Sequence, residues 1–179
     1  VTRVTDGQNY WIDTLTLAPA GPVVTPPPSN VDAVLLSFDE NPPVFSNMGA
    51  YGGALPSVEA GPAGGSGSAL KILKPVSPDT WGGVYFNVPA IPFAADRKMI
   101  SARVYSTRAD AVIRLKVEVP GGSSVEVASA PTGPANTWST VTWNFVAANP
   151  GNSYQLIAIT PDAETVTNGQ VTEIGRAHV

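Results

Sequence analysis

The chain has 179 residues, a net charge of −4 and a pI near 4.8, with 43% hydrophobic and only 13% charged residues. That balance lacks the basic face that nucleic acid or an anionic membrane requires, and no apolar run approaches the roughly 20 residues of a membrane span. Cysteine is absent, which excludes disulfides and thiolate metal sites, while 17 glycines, 18 prolines and abundant Val and Thr read as all-β with many turns.

Residues 1–17 hold one strand, YWIDTLTL, whose apolar members are Tyr10, Ile12, Leu15 and Leu17. Residues 18–30, APAGPVVTPPPSN, read as a linker, because Pro26, Pro27 and Pro28 favour a stiff, extended chain that cannot join a central strand. Residues 31–172 form the main domain. It opens with AVLLSF and continues through a long Gly-rich passage over residues 47–68. Within that passage GPAGGSGS lacks the GK[ST] ending of a phosphate loop and is expected as a mobile surface loop. The strands ALKILK, GGVYFNV, KMISARVYS, AVIRLKVEV, SSVEVAS, WSTVTWNFV and SYQLIAIT follow. Alternation is clearest in AVIRLKVEV, where Ile113, Leu115, Val117 and Val119 oppose Arg114, Lys116 and Glu118. Strands at this spacing predict an antiparallel two-sheet β-sandwich or jelly roll.

One phrase occurs twice. VTDGQ starts at Val4 and VTNGQ at Val166. The first copy runs into YWIDTLTL and the Pro-rich linker; the second follows the last strand of the main domain. The pattern reads as part of a tandem array: residues 1–17 are the C-terminal strand of a preceding module, 18–30 the linker, and 31–172 a module lacking its last strand. YWIDTLTL is expected to fill that place, as in a circular permutant. Residues 173–179, EIGRAHV, are what a widely used sequencing adapter gives when translated in one frame, and they are excluded from the functional reading. His178, the one histidine, goes with them.

Without a usable His or Cys, Ser-His-Asp and Cys-His catalysis and His-ligated zinc are excluded. Two carboxylates alone could hydrolyse a glycoside, but nothing in the sequence pairs Asp39, Glu40, Glu59, Asp79, Asp110, Glu118, Glu126 or Asp162, and the chain is read as no enzyme. The aromatics are more informative. In TWGGVYFNV, Val84, Phe86 and Val88 alternate with Trp81, Gly83, Tyr85 and Asn87. In ISARVYS, Ile100, Ala102 and Val104 oppose Arg103 and Tyr105. With Arg114, Lys116 and Glu118, these residues predict one face that combines flat aromatics with long hydrogen-bonding side chains. Sugars demand that combination, because their C–H faces pack on rings and their hydroxyls take forked polar partners. The candidate ligand set is therefore Trp81, Tyr85, Asn87, Arg103, Tyr105, Arg114, Lys116 and Glu118. Trp143, in register with Val141 and Phe145, is expected in the core, and Trp138 at a rim. Asp13, Asp39 and Glu40 form a second set. First and last strands of a jelly roll are commonly neighbours, so these hard oxygen ligands could converge on a structural Ca²⁺.

SFDE, the Gly-rich passage into ALKILK, TWGGVYFNV, IPFAADRKMISARVYSTRADAVIRLKVE, NTWSTVTWNF and the displaced YWIDTLTL together resemble bacterial carbohydrate-binding modules. These are of the jelly-roll type related to families 4, 9 and 22, with a galactose-binding-like fold. The resemblance covers nearly all of 31–172 and, displaced, 10–17. It implies a concave sheet face for glycan binding, in a secreted multidomain protein that acts at polysaccharides such as β-glucan. The family pattern often closes with an aromatic pair and two acidic residues; here Thr14 takes the second acidic place, which weakens the calcium inference. The alternative is a structural or adhesive β-sandwich repeat that spaces domains or binds a protein.

Overall fold

The computed structural model describes residues 10–18, 33–65, 67–75 and 79–163. The linker from residue 19 to 30, both copies of the repeated phrase and residues 173–179 lie outside them. Eleven strands and no helix occur among the described residues. In chain order they are β1 (Tyr10–Ala18), β2 (Ala33–Leu36), β3 (Ser46–Tyr51), β4 (Leu55–Ala60), β5 (Ser68–Leu73) and β6 (Gly83–Asn87). Then follow β7 (Met99–Ser106), β8 (Ile113–Glu118), β9 (Ser124–Ala128), β10 (Thr137–Asn144) and β11 (Leu156–Pro161).

They form the expected antiparallel two-sheet sandwich. A six-stranded sheet runs β10-β7-β1-β5-β4, with β2 also paired to β1, and a five-stranded sheet runs β3-β6-β11-β8-β9. The alternation explains the core. On β7, Ile100, Ala102 and Val104 point inward, and on β8, Ile113, Leu115 and Val117 do the same; all six are buried. Trp143 is fully buried, as expected, and its indole N–H reaches the Ile113 carbonyl at 2.8 Å. A buried indole needs such a partner.

β1 lies in the middle of its sheet. It pairs with β7 from Tyr10 to Ala18, with β5 at Trp11 and Ile12, and with β2 from Leu15 to Leu17. Its apolar residues change parity, from Tyr10 and Ile12 to Leu15 and Leu17, yet all four are fully buried. A register shift between Ile12 and Leu15 reconciles the two halves. The extra residue of a bulge restores the inward direction after Asp13 and Thr14. Each of these side chains adds about 1.5–3 kcal/mol by leaving water.

The Gly-rich passage holds two strands, β3 and β4, that the sequence did not announce. Glycine and alanine depress strand propensity, but the β3 and β4 backbones find partners in β6 and β5. Tertiary pairing overrides the local signal. The GPAGGSGS turn is also fastened: Gly61 N–H reaches the Gly67 carbonyl and Gly65 N–H the Pro62 carbonyl.

Candidate functional site

The outer face of the five-stranded sheet carries six of the eight candidate ligand residues. β6 contributes Tyr85 and Asn87, with Trp81 just before it, and β8 contributes Arg114, Lys116 and Glu118. Register places Gly49, Tyr85, Ala158, Lys116 and Glu126 in one row across all five strands. Ala158, in the middle of the row, divides an aromatic side from a charged side and is itself buried.

The aromatic side is built on glycines. A Cβ on Gly49 would lie 2.5 Å from the Tyr85 hydroxyl oxygen and 2.6 Å from Cζ. The Tyr85 ring therefore lies down on the bare Gly49 backbone. Tyr51 does the same on Gly83, where a Cβ would meet its hydroxyl oxygen at 2.6 Å. Its hydroxyl forms a 2.7 Å hydrogen bond with Thr160 Oγ1 on β11. Burial pushes the Tyr51 hydroxyl pKa up, and the bond to Thr160 partly offsets this. Trp81 stands parallel to Tyr51, with planes 5° apart and centroids 6.2 Å apart. It packs beside Gly52, where a Cβ would meet its ring at 3.1 Å. Trp81 is 57% exposed and Tyr85 38%. Three rings thus sit low on the sheet because the residues beneath or beside them lack side chains. The sequence reading singled out Trp81 and Tyr85 and missed Tyr51, which lies in the unassigned GAYGG stretch of the Gly-rich passage.

The charged side is internally neutralised. Arg114 bonds Glu126 at 2.7 Å, and Lys116 meets Glu118 at 2.5 Å. These half-exposed pairs contribute little stability. They hold extended donors and acceptors at fixed positions with no net charge.

Arg103 and Tyr105 are elsewhere, which corrects the single-face expectation. β7 belongs to the six-stranded sheet, so both point outward on the opposite side of the sandwich. Alternation tells inward from outward but not which sheet a strand joins. There Tyr105 stands in a row with Trp11 on β1 and Trp138 on the edge strand β10. Ring centroids are 5.8 and 5.5 Å apart, both in edge-on arrangements. Lys71 lies 5.1 Å from the Trp11 ring and Arg103 4.9 Å from the Trp138 ring. Lys71 also pairs with Glu59 at 3.0 Å. Trp138 donates to the Ala63 carbonyl at 3.1 Å and Arg103 to the Gly64 carbonyl at 3.4 Å. This second row clamps the Gly-rich turn, and each of its indoles has a cation beside the ring.

The three expected calcium ligands are placed as follows. Asp13 is fully buried at the β1 bulge, where Thr14 Oγ1 donates to it at 3.2 Å. Leu15 pairs with Leu36, so Asp13 lies toward the end of the sheet where residues 37–40 follow β2. Glu40 Oε1 accepts both the backbone N–H and the hydroxyl of Ser37 at 2.7 Å, while its Oε2 is buried with no hydrogen-bond partner among the described residues. Asp39 turns away and accepts the Ser68 amide at 2.5 Å. Among the described residues no three acidic or imidazole side chains gather closely enough to hold a metal ion. Asp39 thus serves as a turn residue, and Glu40 keeps one uncommitted oxygen.

No protein-family model matches the chain, and no curated protein or solved structure matches it either.

Proposed function

We propose that the chain is a non-catalytic carbohydrate-binding module that holds a polysaccharide on the outer face of the five-stranded sheet. The observation that carries this reading is the glycine-seated aromatic surface of Tyr51, Trp81 and Tyr85 beside the neutralised Arg114–Glu126 and Lys116–Glu118 pairs. Rings lying low on a sheet offer broad apolar surface to the C–H face of a pyranose, and the fixed polar pairs offer forked partners to its hydroxyls. Asn87, half-buried in the next row, supplies a further amide. Arg103 and Tyr105 drop out of this site because they lie on the other sheet.

The repeated VTDGQ and VTNGQ phrases support a tandem arrangement in a secreted bacterial protein, where several modules raise retention through effective concentration. In the same reading a structural Ca²⁺ draws on Glu40 and Asp13, without Asp39.

Affinity electrophoresis against soluble β-glucans, xylan, mannan and alginate tests the proposal, with Trp81→Ala run beside the parent chain. Retardation by a glycan that weakens in the variant supports it. Retardation that survives Trp81→Ala moves the site off this face. A folded chain retarded by no glycan leaves the structural or adhesive repeat as the better account.

A further inference from the structure

We propose that the outer face of the six-stranded sheet is a second binding site, and that it takes an acidic glycan, a uronide whose carboxylate sits on Arg103. This face lies across the sandwich from Tyr51, Trp81 and Tyr85, and its ligand is held without them.

Register sets Trp138, Tyr105, Trp11, Lys71 and Ser57 in one row across β10, β7, β1, β5 and β4. The three aromatics stand on adjacent strands and span about 10 Å at the usual strand spacing. All three are half-buried, so each keeps part of its ring in water. Tyr105 meets the tryptophans edge-on, at 86° and 63°, which makes the row stepped rather than flat. Both indole N–H groups are committed: Trp11 donates to Glu59 Oε1 at 3.4 Å and Trp138 to the Ala63 carbonyl at 3.1 Å. At the β5 end Lys71 and Glu59 neutralise each other at 3.0 Å.

The uncommitted groups lie on β7. Among the described residues the Tyr105 hydroxyl has no hydrogen-bond partner, and Arg103, on the same face of the strand, enters no ion pair. A guanidinium carries five N–H donors. Arg103 places one, on Nη2, against the Gly64 carbonyl at 3.4 Å and holds its Cζ 4.9 Å from the Trp138 ring. Those two contacts fix the fork and leave its other donors to a ligand. Across the β1–β7 pair the bulge at Asp13 and Thr14 stands opposite, and Asp13 is fully buried. The partly exposed charges beside the row are Lys71 and Arg103 against Glu59, a net positive charge. The five-stranded face differs, since Arg114 and Lys116 are each paired with a glutamate there. The complement of the six-stranded face is an anion with acceptor oxygens and an apolar face for the rings. A uronic acid unites them in one sugar, because its carboxylate is attached to the pyranose ring. The C–H face packs on the aromatic row, and the carboxylate takes the Arg103 fork in a bidentate pair. The Tyr105 hydroxyl and the Lys71–Glu59 pair then serve the sugar hydroxyls.

Titration calorimetry of the full chain with oligogalacturonate, and with the same oligomer methyl-esterified, tests the proposal. The pair differs in the charge of the carboxyl group and little else. The free acid should bind about tenfold tighter than the ester, as a charge-assisted pair to a fixed guanidinium implies, and more weakly as salt rises. Arg103→Gln should reduce the acid to the level of the ester, and Arg103→Lys, which keeps the charge and loses the fork, should restore part of the difference. Tyr105→Phe should weaken both oligomers alike. Urea unfolding of each variant shows that the sheet is intact. Uronide binding should survive Trp81→Ala, whereas a neutral glycan held on the five-stranded sheet should not, so either site can fail without the other. Equal affinity for acid and ester, no binding of the acid, or a loss in Trp81→Ala as large as in Arg103→Gln overturns the proposal. Poly-glutamate bound as tightly as the uronide also overturns it, because the rings would then play no part.

Discussion

Gly49→Ala tests the glycine-seated surface most directly. The new Cβ would start 2.5 Å from the Tyr85 hydroxyl oxygen, and ordinary contact begins near 3.4 Å, so the ring must rise by about 0.9 Å. It can do so, because Tyr85 is 38% exposed and the obstructed atoms are the far end of its side chain. Gly49 carries no positive φ, so the backbone adds no further strain. The stability cost is about 1 kcal/mol, at the low end for overpacking. Binding should suffer more distinctly, since a raised ring no longer continues the flat surface. A lost aromatic contact of about 1 kcal/mol weakens affinity about fivefold. The assay is glycan retardation of parent, Gly49→Ala, Tyr85→Ala and the double variant, with urea unfolding of each. In the Tyr85→Ala background Gly49→Ala should have no further effect on binding, because the ring it displaces is gone. Equal retardation of parent and Gly49→Ala by a glycan that Trp81→Ala fails to retain would refute the reasoning.

Three other outcomes are expected. Leu15→Ala, which empties a fully buried site in the central strand, should cost about 2–5 kcal/mol in urea unfolding; a cost below 1 kcal/mol would mean that β1 contributes little to the core. Burial lowers the Lys74 ammonium to about 8, while its Nζ donates to the Thr80 and Pro161 carbonyls. Between pH 8 and 10 the unfolded chain holds this proton more firmly than the folded one, so stability should rise with pH there, and Lys74→Met should flatten the rise in the urea midpoint. An unchanged slope in the variant would assign the effect elsewhere. Ca²⁺ should raise the melting temperature of the parent chain and not of Glu40→Gln; identical melting in Ca²⁺ and in chelator would remove calcium from the account.

Much of the fold was legible because period-two alternation is a local signal. The KMISARVYS and AVIRLKVEV segments announce their inward residues, and both strands appear with those residues buried. Their sheet assignment is not local. Nothing in ISARVYS states that it will lie beside β1 and β10 while AVIRLKVEV lies beside β11 and β9, so a face drawn from parity alone joined residues that the sandwich separates. The glycines misled for the opposite reason. At Gly49 and Gly83 the absence of a side chain serves a ring on the neighbouring strand, and a partner that distant in sequence leaves no mark on its surroundings. Trp11 was overlooked because the apolar residues flanking it dominate the YWIDTLTL reading; its row with Tyr105 and Trp138 exists only once three distant strands are in register.

The seating of Tyr85 on Gly49 and of Tyr51 on Gly83 also bears on how such a surface can diverge. Each ring and its glycine form one heritable unit. A lineage that loses the Tyr85 ring frees position 49 to take almost any side chain, and once it has done so a returning tyrosine no longer fits. Change at the tyrosine comes easily first and is hard to reverse. At position 83 the path is narrower, because a Cβ there would also run into the Ile159 carbonyl oxygen of the adjacent strand. Glycine should therefore persist at 83 after the aromatic above it has gone, leaving a bare patch that records where the ring once lay.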